Sequence, residues 1–162
     1  MKAVHLLLLM LCLFVPAMAH ADDAAQCHAN KGTYLTGTVT RGPTFARGHL
    51  QDGVELSHTH VSLRADRDHR VYDVAIDNVF AAGYDTAGEA VPAPLSTIAI
   101  GNRLELCGKL YTHGGPGIDW VHTNCGKRPT AGQPNGWLKI MSSTGTPGPN
   151  LESSEKYCRL WP

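Results

Sequence analysis

The sequence is short of the features that usually announce a function. Only 17% of its residues are charged and the formal net charge is zero. No run of lysine or arginine occurs, so nucleic acid and anionic membrane surfaces have no electrostatic footprint to meet. No Gly-x-Ser-x-Gly elbow, His-Glu-x-x-His helix motif or paired-carboxylate pattern is present, which excludes the commonest written signatures of hydrolysis. No Cys-x-x-Cys pair exists, which weakens a zinc reading of the cysteines. Internal repeats and amphipathic helical periodicity are lacking too. Gly114-Gly115-Pro116-Gly117 is followed by neither a helix nor a phosphate-binding lysine, so it reads as a hairpin turn and not a phosphate loop. Beyond the first residues no stretch is apolar enough to cross a membrane.

What is present begins with an export signal. Lys2 gives a short positive region, residues 6–15 an apolar run too short to span a bilayer, and Ala17-Met18-Ala19 and Ala19-His20-Ala21 the small residues of a cleavage site. Cleavage is expected after Ala21, with Ala19 as the alternative. Cys12 lies inside the apolar run, without the context of lipoprotein processing. The expected location is therefore secreted or periplasmic, and residues 22–162 suit one domain. Cys27, Cys107, Cys125 and Cys158 remain. An even count in an exported chain favours two disulfides.

Residues 32–40 are β-branched and aromatic and read as a strand that Arg41-Gly42-Pro43 ends. Residues 54–63 and 71–80 alternate around a charged turn and read as a hairpin. Thr59, Val61 and Leu63 share one face with His58, His60 and Ser62 opposite; Tyr72, Val74, Ile76 and Phe80 share a face with Asp73 and Asp77 opposite. Residues 83–94 read as a loop and 22–31 as a ragged arm or short helix. Two further strands flank the Gly-Pro turn within 98–140. The expected fold is all-β: a small OB-like antiparallel barrel of five to six strands with few or no helices, since closing so few strands removes exposed edges. It occupies residues 22–140. Residues 141–162 form a Gly/Pro/Ser-rich linker and a tail docked by Cys158 and Trp161.

Residues 100–111, Ile-Gly-Asn-Arg-Leu-Glu-Leu-Cys-Gly-Lys-Leu-Tyr, are similar to a Gly-Asp-x-Val-x-x-x-Gly-x-Tyr segment. Gly117-Ile118-Asp119-Trp120-Val121-His122 resembles Gly-x-x-His-Trp-Thr-His, and Gly136-Trp137 a closing Gly-Trp. The strand at 71–80 looks like one ending near Asn-Ile-Asp. These features resemble a family of small exported bacterial proteins of unknown function. The resemblance covers residues 58–140 and implies an OB-like barrel and export, but no activity. Asp119 stands where that family has a histidine, and Thr123-Asn124-Cys125 where it has His-Asp-Pro.

Three constellations could carry chemistry. His58 and His60 project from one strand face as half of a zinc or copper site, with a third ligand from His49, His69, His113 or His122. The plainer reading is two solvated histidines. Asp119, Trp120 and His122, with Trp137 after Gly136, could form a ligand pocket in which tryptophan stacks a ring or sugar. The plainer reading there is core aromatics with a hydrogen-bonded histidine. A hydrolase would use His122 as base with Asp73 or Asp77 as partner. The preferred reading is a non-enzymatic binding module for a small ligand, glycan or protein partner.

With Pro116 as hairpin centre, Cys107 faces Cys125, Lys109 faces Thr123 and Tyr111 faces Val121. That spacing suits a cross-strand disulfide and leaves Cys27 to pair with Cys158. The same register puts Leu104, Leu106, Leu110, Trp120 and His122 on the core side.

Overall fold

The computed structural model describes residues 17–161. Of the expected leader, residues 1–16 lie outside the described residues, and Ala17–Ala21 begin helix α1 (Ala17–Ala29). Nine strands follow: β1 (Thr33–Ala46), β2 (Leu50–Gln51), β3 (Val54–Glu55), β4 (His58–Ala65), β5 (Val71–Asp77), β6 (Arg103–Tyr111), β7 (Gly117–Asp119), β8 (Trp137–Met141) and β9 (Pro147–Asn150). Short helices α2 (Tyr84–Ala87) and α3 (Ala93–Ser96) sit between β5 and β6. Single 3-10 turns occur at Asn78–Phe80 and Cys158–Leu160.

The sheet runs β1-β4-β5-β7-β6, and β1 pairs with β6 as well as β4, so five strands close into a ring. The expected antiparallel sheet is in fact mixed, because β5 and β7 run parallel. The β4/β5 hairpin forms as its alternation requires. Val61, Leu63, Val74 and Ile76 point inward to a core shared with Leu35, Leu104, Leu106 and Ile118. Each such side chain contributes roughly 1.5–3 kcal/mol by leaving water. Leu95 and Ile98 join this core from the α3 segment.

Strand β1 does not end at Gly42-Pro43. Register shifts at Val39/Arg41 and Arg41/Thr44 bend it, and pairing with β4 resumes to Ala46. Its first half pairs with β6 and its second half only with β4, so the bend lets one strand serve two neighbours. Part of the presumed linker is strand β9, paired with β8. Pro147 is tolerated there because an edge strand need not donate on its open side.

Both disulfides exist, but the expected pairing is wrong. The bonds are Cys27–Cys107 and Cys125–Cys158. The Gly-Pro hairpin is centred two residues earlier than Pro116: Tyr111 faces Gly117 and Lys109 faces Asp119. β7 then stops at Asp119, and Trp120 turns left-handed with φ 54°. The edge of β6 beside Cys107 goes to β8, where Cys107 faces Trp137. Cys125 is thereby carried away from Cys107, and Cys27 on α1 takes its place. The displacement is even in residues, so the predicted faces mostly survive. Leu104, Leu106 and His122 are buried, whereas Leu110 is 38% exposed. Proteolysis without reduction should release a Cys27 peptide joined to Cys107 and a Cys125 peptide joined to Cys158; a Cys107–Cys125 peptide would refute this topology.

Candidate functional site

The site lies at the end of the ring where β4 begins and β5 and β7 finish. The β4/β5 register sets His58 opposite Asp77. The next residue, Asn78, is locked by a buried network: Thr59 Oγ1 donates to Asn78 Oδ1 at 2.6 Å, and Asn78 Nδ2 donates to Ser57 Oγ at 3.0 Å. This fixes the chain on either side of the two facing residues. Asp77 becomes a hub. His58 Nε2 lies 2.8 Å from Oδ1, and His122 Nε2 lies 3.2 Å from Oδ2. The His122 contact has ion-pair distance without good hydrogen-bond geometry. Its Nδ1 donates to Thr123 O at 2.7 Å.

Aromatic rings frame this hub. Phe80 stacks flat on His122, with centroids 3.8 Å apart and planes 6° apart. Trp120 lies 4.9 Å and Trp161 6.2 Å from the same imidazole. His122 is 1% exposed, whereas His58, Asp119 and Trp120 are half-buried at the rim.

The charges follow from these contacts. Burial pushes the Asp77 carboxyl up, but the close imidazoles of His122 and His58 outweigh it and hold the group below the usual carboxylate range. The bond to Asp77 raises His58 against the opposing effect of burial. Burial raises Asp119; the charge of Asp77 adds to this while Lys109 opposes it. Glu152 is 0% exposed, neither of its carboxyl oxygens has a hydrogen-bond partner, and burial with the nearby charge of Asp77 drives it well above its ordinary value.

A pH dependence follows for Glu152. Its native carboxyl holds a proton at pH values where the unfolded one, with an ordinary value of 4.5, has lost it. Stability therefore falls as pH rises from that value through the raised one. Glu152→Gln should melt higher than the parent at neutral pH, and its melting temperature should vary less over about pH 5 to 9. Parallel melting curves across that range would exclude this account.

The sequence-selected residues divide. His58 and His122 meet at Asp77, with Trp120 and Asp119 beside them. His60 stands apart: its Nδ1 donates to both Asp73 oxygens at 3.0 and 2.9 Å, and Tyr111 Oη donates to Asp73 Oδ2 at 2.6 Å. The His58 and His60 rings are 6.2 Å apart and each faces its own carboxylate. No group of three or more histidine, cysteine, aspartate or glutamate side chains among the described residues is arranged to hold a metal ion. Trp137 lies elsewhere, packed with Cys27, Cys107 and Tyr34. Gly136 before it is required by close approach, since a Cβ there would sit 2.3 Å from Trp120 O and 2.5 Å from Cys107 O. Phe80, Glu152 and Trp161 were not anticipated as part of the site.

No family model, curated protein or solved structure matches the chain. No helix among the described residues is long and apolar enough to cross a membrane.

Proposed function

We propose that the protein is an exported, non-enzymatic binding module on an OB-like barrel, taking a glycan or similar small polar ligand where His58, Asp77, Asp119 and Trp120 meet. Two disulfides support an oxidising compartment. The five-stranded ring, closed by β1 on β6, supports the OB-like assignment.

The observation that carries the reading is Trp120. A bulky residue at φ 54° is strained, at a cost of about 1–3 kcal/mol, and such strain concentrates at functional sites. That conformation holds a half-buried indole beside the His122 imidazole, next in sequence to Asp119. An aromatic face bordered by fixed polar groups is how proteins hold a sugar ring, with stacking for the ring and hydrogen bonds for its hydroxyls.

His122 suits a positioning role. With Nδ1 engaged by Thr123 O, Nε2 against Asp77 and the ring buried, a substrate would have to displace neighbouring groups to reach it. A metal on His58 and His60 would have to take His58 Nδ1 and His60 Nε2, the ring nitrogens that do not face Asp77 and Asp73, and a stoichiometric metal adduct in native mass spectrometry would favour that rival.

The test is NMR titration with neutral and amino-sugar oligosaccharides. Trp120→Ala should weaken binding roughly tenfold, the worth of one aromatic stacking contact. Shifts confined to residues remote from Trp120, or unchanged affinity in the variant, would refute the assignment.

A further inference from the structure

The two disulfides differ in reach. Cys27 and Cys107 are 0% exposed, whereas Cys125 and Cys158 are half-buried at the surface. The reachable bond ties the C-terminal tail across the site. Leu160 packs with Leu56, Val79 and Phe80, and Trp161 lies 4.8 Å from the Phe80 ring.

In and around the cavity that Trp161 lines, the chain leaves polar groups short of partners. Trp120 Nε1, Asp119 Oδ1 and both Glu152 oxygens are buried without a hydrogen-bond partner, and His122 Nε2 has only its 3.2 Å contact with Asp77. Glu152 is held there through its backbone, whose carbonyl accepts from Thr123 N at 3.2 Å. Buried groups of this kind are rare and costly, and a local group of them marks a place built to meet something else. The cavity lined by Trp120, His122, Cys125 and Trp161 holds about 10 Å³, at the lower limit for a single water. Nothing larger enters while the tail is in place.

We propose that Cys125–Cys158 is a redox latch controlling access to the inner half of the binding site. This rests on the reading of the rim as a ligand site. A dithiol reductant of the thioredoxin class attacks one sulfur of the bond as thiolate, forming a mixed disulfide, and its second thiol then resolves it. Two electrons and two protons pass to the protein, which gains two thiols, and the reductant leaves as a disulfide. Released, Leu160 and Trp161 lift from Phe80. The ligand then extends from the Trp120 rim to the polar groups of His122 and Glu152. Cys27–Cys107 stays closed and keeps the ring stapled.

The experiment uses the full oxidised chain with dithiothreitol as the dithiol. Partial reduction, alkylation and peptide mapping should label Cys125 and Cys158 at least about tenfold faster than Cys27 and Cys107, because exchange follows access to the attacking thiolate. Diethyl pyrocarbonate labelling of His122 should rise several-fold over the same interval, with exposed His28 and His69 as constant references. Trp161→Ala with the bond intact should expose His122 without reductant. Amide exchange in β1 and β6 should stay slow throughout. Equal labelling of all four cysteines, a His122 still protected after Cys125–Cys158 opens, or loss of β1 and β6 protection on opening would each overturn the latch. These readouts report access and need no ligand, so they stand or fall separately from the glycan titration.

Discussion

Replacing Cys27 and Cys107 together by alanine is expected to lower stability by about 4–5 kcal/mol, the loop-closure value for residues far apart in sequence. The bonded residues are 80 apart, against 33 for Cys125 and Cys158, whose removal should cost about 3–4 kcal/mol. Context widens the difference. The first bond is fully buried with Trp137, and Gly32 passes so close that a Cβ there would lie 2.4 Å from Cys107 Sγ. The Lys139–Asp23 ion pair at 2.8 Å fastens α1 as well. A domain of this size has roughly 5–15 kcal/mol in all. The double variant should therefore shift the urea midpoint far below that of the Cys125/Cys158 variant. The reverse order of midpoints would refute the assignment of the first bond as the main staple.

Local alternation was legible and non-local partnership was not. The β4/β5 hairpin follows from the alternation in residues 54–63 and 71–80, because one face must be apolar and a single-residue slip would expose it, although the strands themselves run His58–Ala65 and Val71–Asp77. The strand around Cys107 was equally legible. Its neighbour was not, because choosing β8 over an extended β7 depends on Trp120 turning left-handed, and nothing in an Asp-Trp-Val sequence demands that. Gly114 and Gly115, with φ of 80° and 123°, make the turn, and Pro116 follows it. Proline drew the predicted centre two residues too far. Gly42-Pro43 misled in the same way: a bulge absorbs the glycine-proline pair, and the strand goes on.

The site shows the same division. Once the hairpin register is known, His58 opposite Asp77 follows directly, and His60 near Asp73 is its diagonal counterpart. Trp120 and His122 could be singled out because an aromatic and an imidazole beside a turn are conspicuous. Glu152 could not be. It lies in the tail that Cys158 and Trp161 were expected to dock, but no pattern in Leu151-Glu152-Ser153 marks a carboxylate as the buried group. Phe80 shares the face of Tyr72, Val74 and Ile76 in the sequence pattern and is buried, but its stacking partner comes from a segment more than forty residues away.

His122→Ala is expected to destabilise by about 3–5 kcal/mol, because it both empties a packed site and strips the partly buried Asp77 carboxylate of one partner. The ring lost is the one stacked on Phe80, so packing and electrostatics must be separated. His122→Phe does this, since it can keep the stack and cannot serve Asp77. It should cost less than His122→Ala, and its cost should depend on pH. In the parent, the two histidines hold Asp77 below its ordinary value of 3.8 despite burial, which contributes stability above that value and loses it as pH falls through the depressed one. With one histidine gone, the native carboxyl moves back toward 3.8 and that contribution shrinks. The stability gap between parent and His122→Phe should be widest near neutral pH and should begin to narrow in acid, as Asp77 of the variant takes up a proton before Asp77 of the parent does. Denaturant melts of the pair from about pH 7 to pH 2.5 measure this directly. A gap that stays constant into acid would mean that His122 serves the fold through its ring alone, and Asp77 would lose its place as the hub of the site.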